Sequence, residues 1–84
     1  MRVVFTAAAR KTLRRLPADR RIQIVARIEA VASGTAQNPD VQRLAGSELR
    51  RLRVGEYRVL FAVDMANQVL TVELIRTRGD VYKR

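Results

Sequence analysis

The chain has no cysteine, no histidine and no tryptophan. Without cysteine, no disulfide staples the fold and no thiolate holds a metal. Without histidine, the commonest general base and the commonest metal ligand are gone, and a Ser/His/Asp triad is excluded. No apolar run approaches the ~20 residues that span a bilayer. The N-terminus lacks the apolar core of a signal peptide. The expectation is a cytoplasmic protein with no membrane partner. There is also no P-loop, no G-x-G-x-x-G, no zinc spacing and no nucleophile elbow. Nothing suggests a metal or an organic cofactor.

What the chain does have is arginine. Its 84 residues, enough for one small domain over 1–84, carry 17 basic and 8 acidic side chains, for a net charge of +9. Only Lys11 and Lys83 among the basic residues are lysine. The charge is no tail, because residues 1–40 and 41–84 both carry a basic excess. Such a balance favours a polyanionic partner. Guanidinium groups bind phosphate bidentately and stack on flat rings, which points toward nucleic acid. A GC-rich genome explains the arginine-to-lysine ratio equally well.

Residues 2–6, RVVFT, form a short β-prone run. Thr6 suits the N-cap of a helix in which Ala9, Leu13 and Leu16 share one face. Pro17 breaks that helix, and Asp19 sits well in the first turn of a second one over roughly 18–33. Ile22, Val25, Ala26, Glu29 and Ala32 follow helical spacing there, while Ile24, Ile28 and Val31 widen the stripe. Gly34 is a natural stop. Asn38-Pro39-Asp40 is turn chemistry.

From residue 48 the period becomes two. Leu52 and Val54 alternate with Arg51 and Arg53. Tyr57, Val59, Phe61 and Val63 alternate with Arg58, Leu60 and Ala62. A turn at DMAN leads to a third apolar strand over Val69 to Ile75. The order is β-α-α-β-β-β, an α+β domain with a twisted antiparallel sheet and a helical hairpin on one face. The apolar positions fill the core, so the arginines belong on the other face or at the rim. The segment after the last strand adds Arg76, Arg78, Tyr82, Lys83 and Arg84.

Scattered carboxylates offer no catalytic pair, which leaves arginine chemistry. RNA cleavage needs little covalent help, because the 2′-hydroxyl is an internal nucleophile beside the phosphate. Holding that geometry and stabilising charge on the phosphorane supplies much of the rate. Clustered arginines with one tyrosine therefore suit a ribonuclease site without histidine, and equally a site that only binds.

The stretch LAGSELRRLRVGEYRVLFAVD and the ending RTRGDVY resemble the RelE/ParE superfamily of type II toxin-antitoxin toxins. The R-L-R-V-G-x-Y-R run is the specific signal, and the resemblance extends over essentially the whole chain. It implies a RelE-like fold: a small twisted sheet with an N-terminal helical hairpin. It also implies an endoribonuclease that cleaves mRNA on the ribosome and inhibits translation and growth. By position, Arg51 matches a basic residue on the second strand, a candidate proton acceptor; arginine is a poor base, so electrostatic stabilisation is its favoured role. Arg58 matches the arginine that contacts the scissile phosphate. Arg76 matches a basic residue that meets transition-state charge, and Tyr82 the tyrosine that stacks on or orients the nucleotide. Arg50, Arg53, Arg78 and Lys83 are candidates for RNA binding, Arg53 fitting a fold or antitoxin contact better than a catalytic role.

The chain departs from the pattern at Leu49, where relatives carry a second basic residue that adjacent Arg50 is placed to replace. It also lacks the histidine of the C-terminal motif. The basic residues Arg10, Arg14, Arg15, Arg20 and Arg21 suit a solvated face, or a surface for rRNA or an antitoxin. The resemblance implies an acidic antitoxin partner in a hetero-oligomer. The ParE branch shares the run but poisons DNA gyrase by protein contact, and a catalytically silent relative is a third reading.

Overall fold

In a computed structural model of the chain, the residues described are 1–34, 41–43 and 48–77. The alternating runs form strands as expected: β1 (Arg2–Phe5), β3 (Arg50–Val54), β4 (Tyr57–Asp64) and β5 (Val69–Thr77). A further three-residue strand, β2 (Val41–Arg43), pairs antiparallel with β3 at the sheet edge. It is too short for its periodicity to show in the sequence. The sheet order is β1-β5-β4-β3-β2. β1 runs parallel to β5, so the sheet is mixed rather than wholly antiparallel. The two helices between β1 and the later strands carry the chain back to the starting end, which is what a parallel neighbour requires.

The β3–β4 hairpin closes on Gly55 and Glu56, with Val54 paired to Tyr57. Gly55 has φ +59°, at the loop position that tight hairpins reserve for glycine.

Helix α1 (Ala7–Arg15) starts at Thr6, whose side chain accepts a hydrogen bond from the Ala9 N–H. Ala9 and Leu13 are buried on its inner face, and Leu16 packs beside them. The Arg21 guanidinium donates to the Leu16 carbonyl at the end of this helix. Helix α2 (Ala18–Ser33) follows Pro17 and ends at Gly34, which is left-handed at φ +66°. Its buried line is Ile24, Ile28 and Ala32. Of the 22-25-26-29-32 stripe read from the sequence, Ala32 is buried and Val25 packs against the core, but Ile22 is 68% exposed, and Ala26 and Glu29 face solvent. An apolar pattern this wide fits two rotations of the helix. Packing against β1 and β3 selects the one that buries the larger side chains Ile24 and Ile28.

Both helices cover one face of the sheet, α1 over β5 and β1, α2 over β1 and β3. Leu52, Val54, Val59, Phe61, Leu70, Val72 and Ile75 meet them there, each almost fully buried. No described helix covers the opposite face.

Candidate nucleic-acid interface

On the uncovered face, Arg53 of β3 is in register with Arg58 of β4, and Arg58 with Arg76 of β5. Neighbouring strands lie about 4.8 Å apart. Three guanidinium stems therefore leave the sheet side by side, along a line about 10 Å long that crosses the strands. Like charges directly opposite one another destabilise a sheet, and this row contains no acid. Arg58 is half-buried between its two neighbours, while Arg53 and Arg76 are exposed. Neither register neighbour of Arg58 is an acid: both are arginines.

Arg51 sits on the same face, one row away, opposite Leu60. Its guanidinium donates to the Gln42 side chain, so β2 fixes its direction. Leu60 in turn faces Leu74. The result is a half-buried apolar pair alongside the arginine row. No aromatic side chain stands on this face among the described residues, because Phe5, Tyr57 and Phe61 belong to the helix side. The described sheet therefore offers charge and aliphatic surface but no ring on which to stack a base.

Arg76 reaches this face only because the strand is irregular. Residues 60 and 61 of β4 are consecutive, yet they pair with Leu74 and Val72, so Glu73 is an extra residue in β5. An extra residue reverses the in-out alternation beyond it. Leu70 and Val72 point to the core, and past the bulge the core position falls to Ile75, which is 3% exposed. Regular alternation from Val72 would have sent Leu74 and Arg76 inward.

The structure thus brings Arg51, Arg53, Arg58 and Arg76 onto one surface. It does not bring Arg50 there. Arg50 is in register with Phe61 and shares the parity of Leu52 and Val54, on the helix side. Arg78, Tyr82 and Lys83 lie outside the described residues. Gln42 and the Leu60–Leu74 pair were not evident from sequence. Gln42 lies in a strand of three residues, and the Leu60–Leu74 pairing depends on a register that the bulge shifts.

Among the described residues no cluster of three or more acidic or metal-ligating side chains is suited to a metal ion. No described helix is long and apolar enough to cross a membrane. Among the described residues, the carboxyl held away from its ordinary pKa is Asp64, remote from the row at the β4–β5 turn. Its pKa is lowered by hydrogen bonds from the Asn67 side chain and backbone.

A family model described as "ParE toxin of type II toxin-antitoxin system, parDE" matches residues 3–82. Among solved structures, the chain is similar to RelE of the archaeal RelE-RelB complex from Pyrococcus horikoshii, with a TM-score of 0.79, 25% identity, and 93% of this chain and 94% of that one covered. The Escherichia coli RelBE toxin-antitoxin complex gives a TM-score of 0.76 at 19% identity, covering 90% and 94%. A YoeB/ParE toxin from Agrobacterium tumefaciens gives 0.73 at 23% identity, covering 92% and 98%. These likenesses show the RelE-like α+β fold. A search of curated proteins gives no match.

Proposed function

We propose that this chain, which belongs to the ParE toxin family and is a RelE/ParE toxin of a type II toxin-antitoxin system, is a single-domain endoribonuclease. Its target is mRNA on the ribosome, in the cytoplasm. The observation that carries this reading is the Arg53–Arg58–Arg76 row, with Arg51 beside it, on a sheet face that no described helix covers.

In the proposed reaction the 2′-oxygen of a ribose attacks the adjacent phosphorus. The bond from phosphorus to the 5′-oxygen of the next nucleotide breaks. The products are a 2′,3′-cyclic phosphate and a free 5′-hydroxyl. Solvent accepts the proton of the 2′-hydroxyl and supplies one to the leaving oxygen. Arginine stays charged at neutral pH and is a poor base. The role of Arg58, at the centre of the row, is to hold the scissile phosphate and neutralise charge on the phosphorane. Arg76 meets the same developing charge. Arg53 and Arg51 hold neighbouring phosphates, and Arg78 and Lys83 contribute further RNA binding. Tyr82 orients or stacks on the nucleotide. Arg50, on the helix side, is left out of the site.

The partner that silences the site is an acidic antitoxin segment that folds over the row. The Pyrococcus and Escherichia coli structures are themselves toxin-antitoxin complexes. Purified toxin added to translating ribosomes tests the activity. It should yield mRNA fragments ending in cyclic phosphate, and the Arg58→Ala protein should yield none.

A second reading is gyrase inhibition by protein contact, as in the ParE branch. It is favoured by the matching family model being ParE and by the missing histidine. A supercoiling assay separates the two: inhibition of gyrase with intact mRNA would select the second.

A further inference from the structure

The Glu73 bulge decides whether Arg76 faces the row or the core, so what holds the bulge in place bears directly on the site. In a regular strand, successive carbonyls point to opposite edges. Here two successive carbonyls of β5 are both bonded to residue 6. The Thr6 N–H donates to the Val72 carbonyl at 3.1 Å. The Thr6 hydroxyl donates to the Glu73 carbonyl at 2.7 Å. The extra residue has no register partner on β4, and its carbonyl is satisfied from the β1 side instead. The same hydroxyl oxygen accepts from the Ala9 N–H at 3.1 Å. A hydroxyl can donate and accept at once, so one side chain caps α1 and latches the bulge.

We propose that Thr6 is a positioning residue: through the Glu73 carbonyl, its hydroxyl holds the offset in β5 that turns Arg76 into the arginine row. This rests on the row being the RNA-binding surface. Thr6 lies where β1 meets α1, on the strand beside β5, and is remote in sequence from every arginine in the row. Its effect on binding runs through Arg76 and not through Arg53, whose strand has no contact with the latch.

The test is a double-mutant cycle read by fluorescence anisotropy with a single-stranded RNA of about ten nucleotides, alongside thermal melts. Removing the hydroxyl in Thr6→Val should weaken binding by roughly threefold to tenfold, the range expected when one charge-assisted phosphate contact is partly lost. In the Arg76→Gln background, Thr6→Val should change affinity by less than about twofold. In the Arg53→Gln background it should cost its full factor, because uncoupled sites add. Thr6→Ser keeps both hydrogen bonds and should restore binding.

Thr6→Asp separates the latch from the cap. An ionised carboxylate still accepts from the Ala9 N–H as a good N-cap but has no proton to donate to Glu73. It should melt close to the native protein yet show the same coupling to Arg76, and its added charge acts alike in every background. Equal losses from Thr6→Val in all three backgrounds, or no loss in any, would overturn the inference. If Arg58→Gln itself leaves RNA binding intact, the functional reading fails and this inference with it. Strong effects of Arg58→Gln and Arg76→Gln without coupling to Thr6 overturn the latch alone.

Discussion

Arg58 and Arg76 stand directly opposite each other on antiparallel β4 and β5, on the face of the sheet that no described helix covers. Neither their spacing along the chain nor ordinary strand pairing makes this arrangement favourable. Together with Arg53 they concentrate positive charge in a fold of only 84 residues, where the margin of stability is thin. Placing the charges together costs stability, which a bound polyanion would offset.

Arg58→Ala should therefore separate activity from stability. It should abolish growth arrest when the toxin is expressed without its antitoxin, while the melting temperature stays within a few degrees of native or rises. A change of 1 kcal/mol corresponds to about 4–8 °C in a domain this small. Loss of toxicity accompanied by a large fall in melting temperature would instead mark Arg58 as a folding residue.

Arg50 and Arg53 test the assignment of faces, because they are near neighbours in sequence on opposite sides of β3. Arg53→Gln should weaken single-stranded RNA binding by about 1–2 kcal/mol and lower the salt dependence by roughly one phosphate contact. Arg50→Gln should leave both nearly unchanged. Equal effects in a salt titration would mean that net charge, not the row, sets affinity.

Gly55 should resist substitution for a backbone reason alone. At φ +59° nothing lies within 4 Å of an added Cβ, so the cost of Gly55→Ala is the left-handed conformation itself, about 1 kcal/mol. Urea denaturation should show a lower midpoint with an unchanged slope. No shift would indicate that the turn relaxes to another type.

Asp64 gives a pH dependence of known sign. Its carboxylate accepts hydrogen bonds from the Asn67 side chain at 2.9 Å and backbone at 3.1 Å, which hold its pKa below the ordinary value. A folded-state pKa below the unfolded one adds stability above the usual carboxylate range, near pH 4, and that stability is lost as pH falls through the lowered value. Melting curves of native protein and Asp64→Ala should differ at neutral pH and converge toward pH 2. A gap that widened on acidification would contradict the assignment.

The sequence makes legible whatever depends on local pattern. Period-two alternation put Leu52, Val54, Val59 and Phe61 on one face and Arg51, Arg53 and Arg58 on the other. Thr6, Leu13 and Gly34 marked the cap, inner face and end of the helices, and the R-L-R-V-G-x-Y-R run pointed to the family. What stayed hidden depends on long-range pairing. β2 is too short to show a period, and β1 joins β5 in parallel only after two helices intervene. The α2 stripe admitted two rotations. The bulge at Glu73 leaves no trace in composition, yet it sends Arg76 to the row and Ile75 to the core. Sequence alone therefore named Arg51, Arg53, Arg58 and Arg76 as candidates, but not the order Arg53–Arg58–Arg76 across the sheet, nor that Arg50 falls on the helix side.

If the row cleaves RNA rather than merely holding a partner, translated messages are cut as soon as the toxin is made. The direct measurement is mapping of transcript 5′ ends within minutes of inducing the toxin, in parallel with the Arg58→Ala variant. New ends should arise within coding regions of translated messages for the native toxin and none for the variant. Growth arrest by the native toxin with transcripts intact would contradict RNA cleavage by the row.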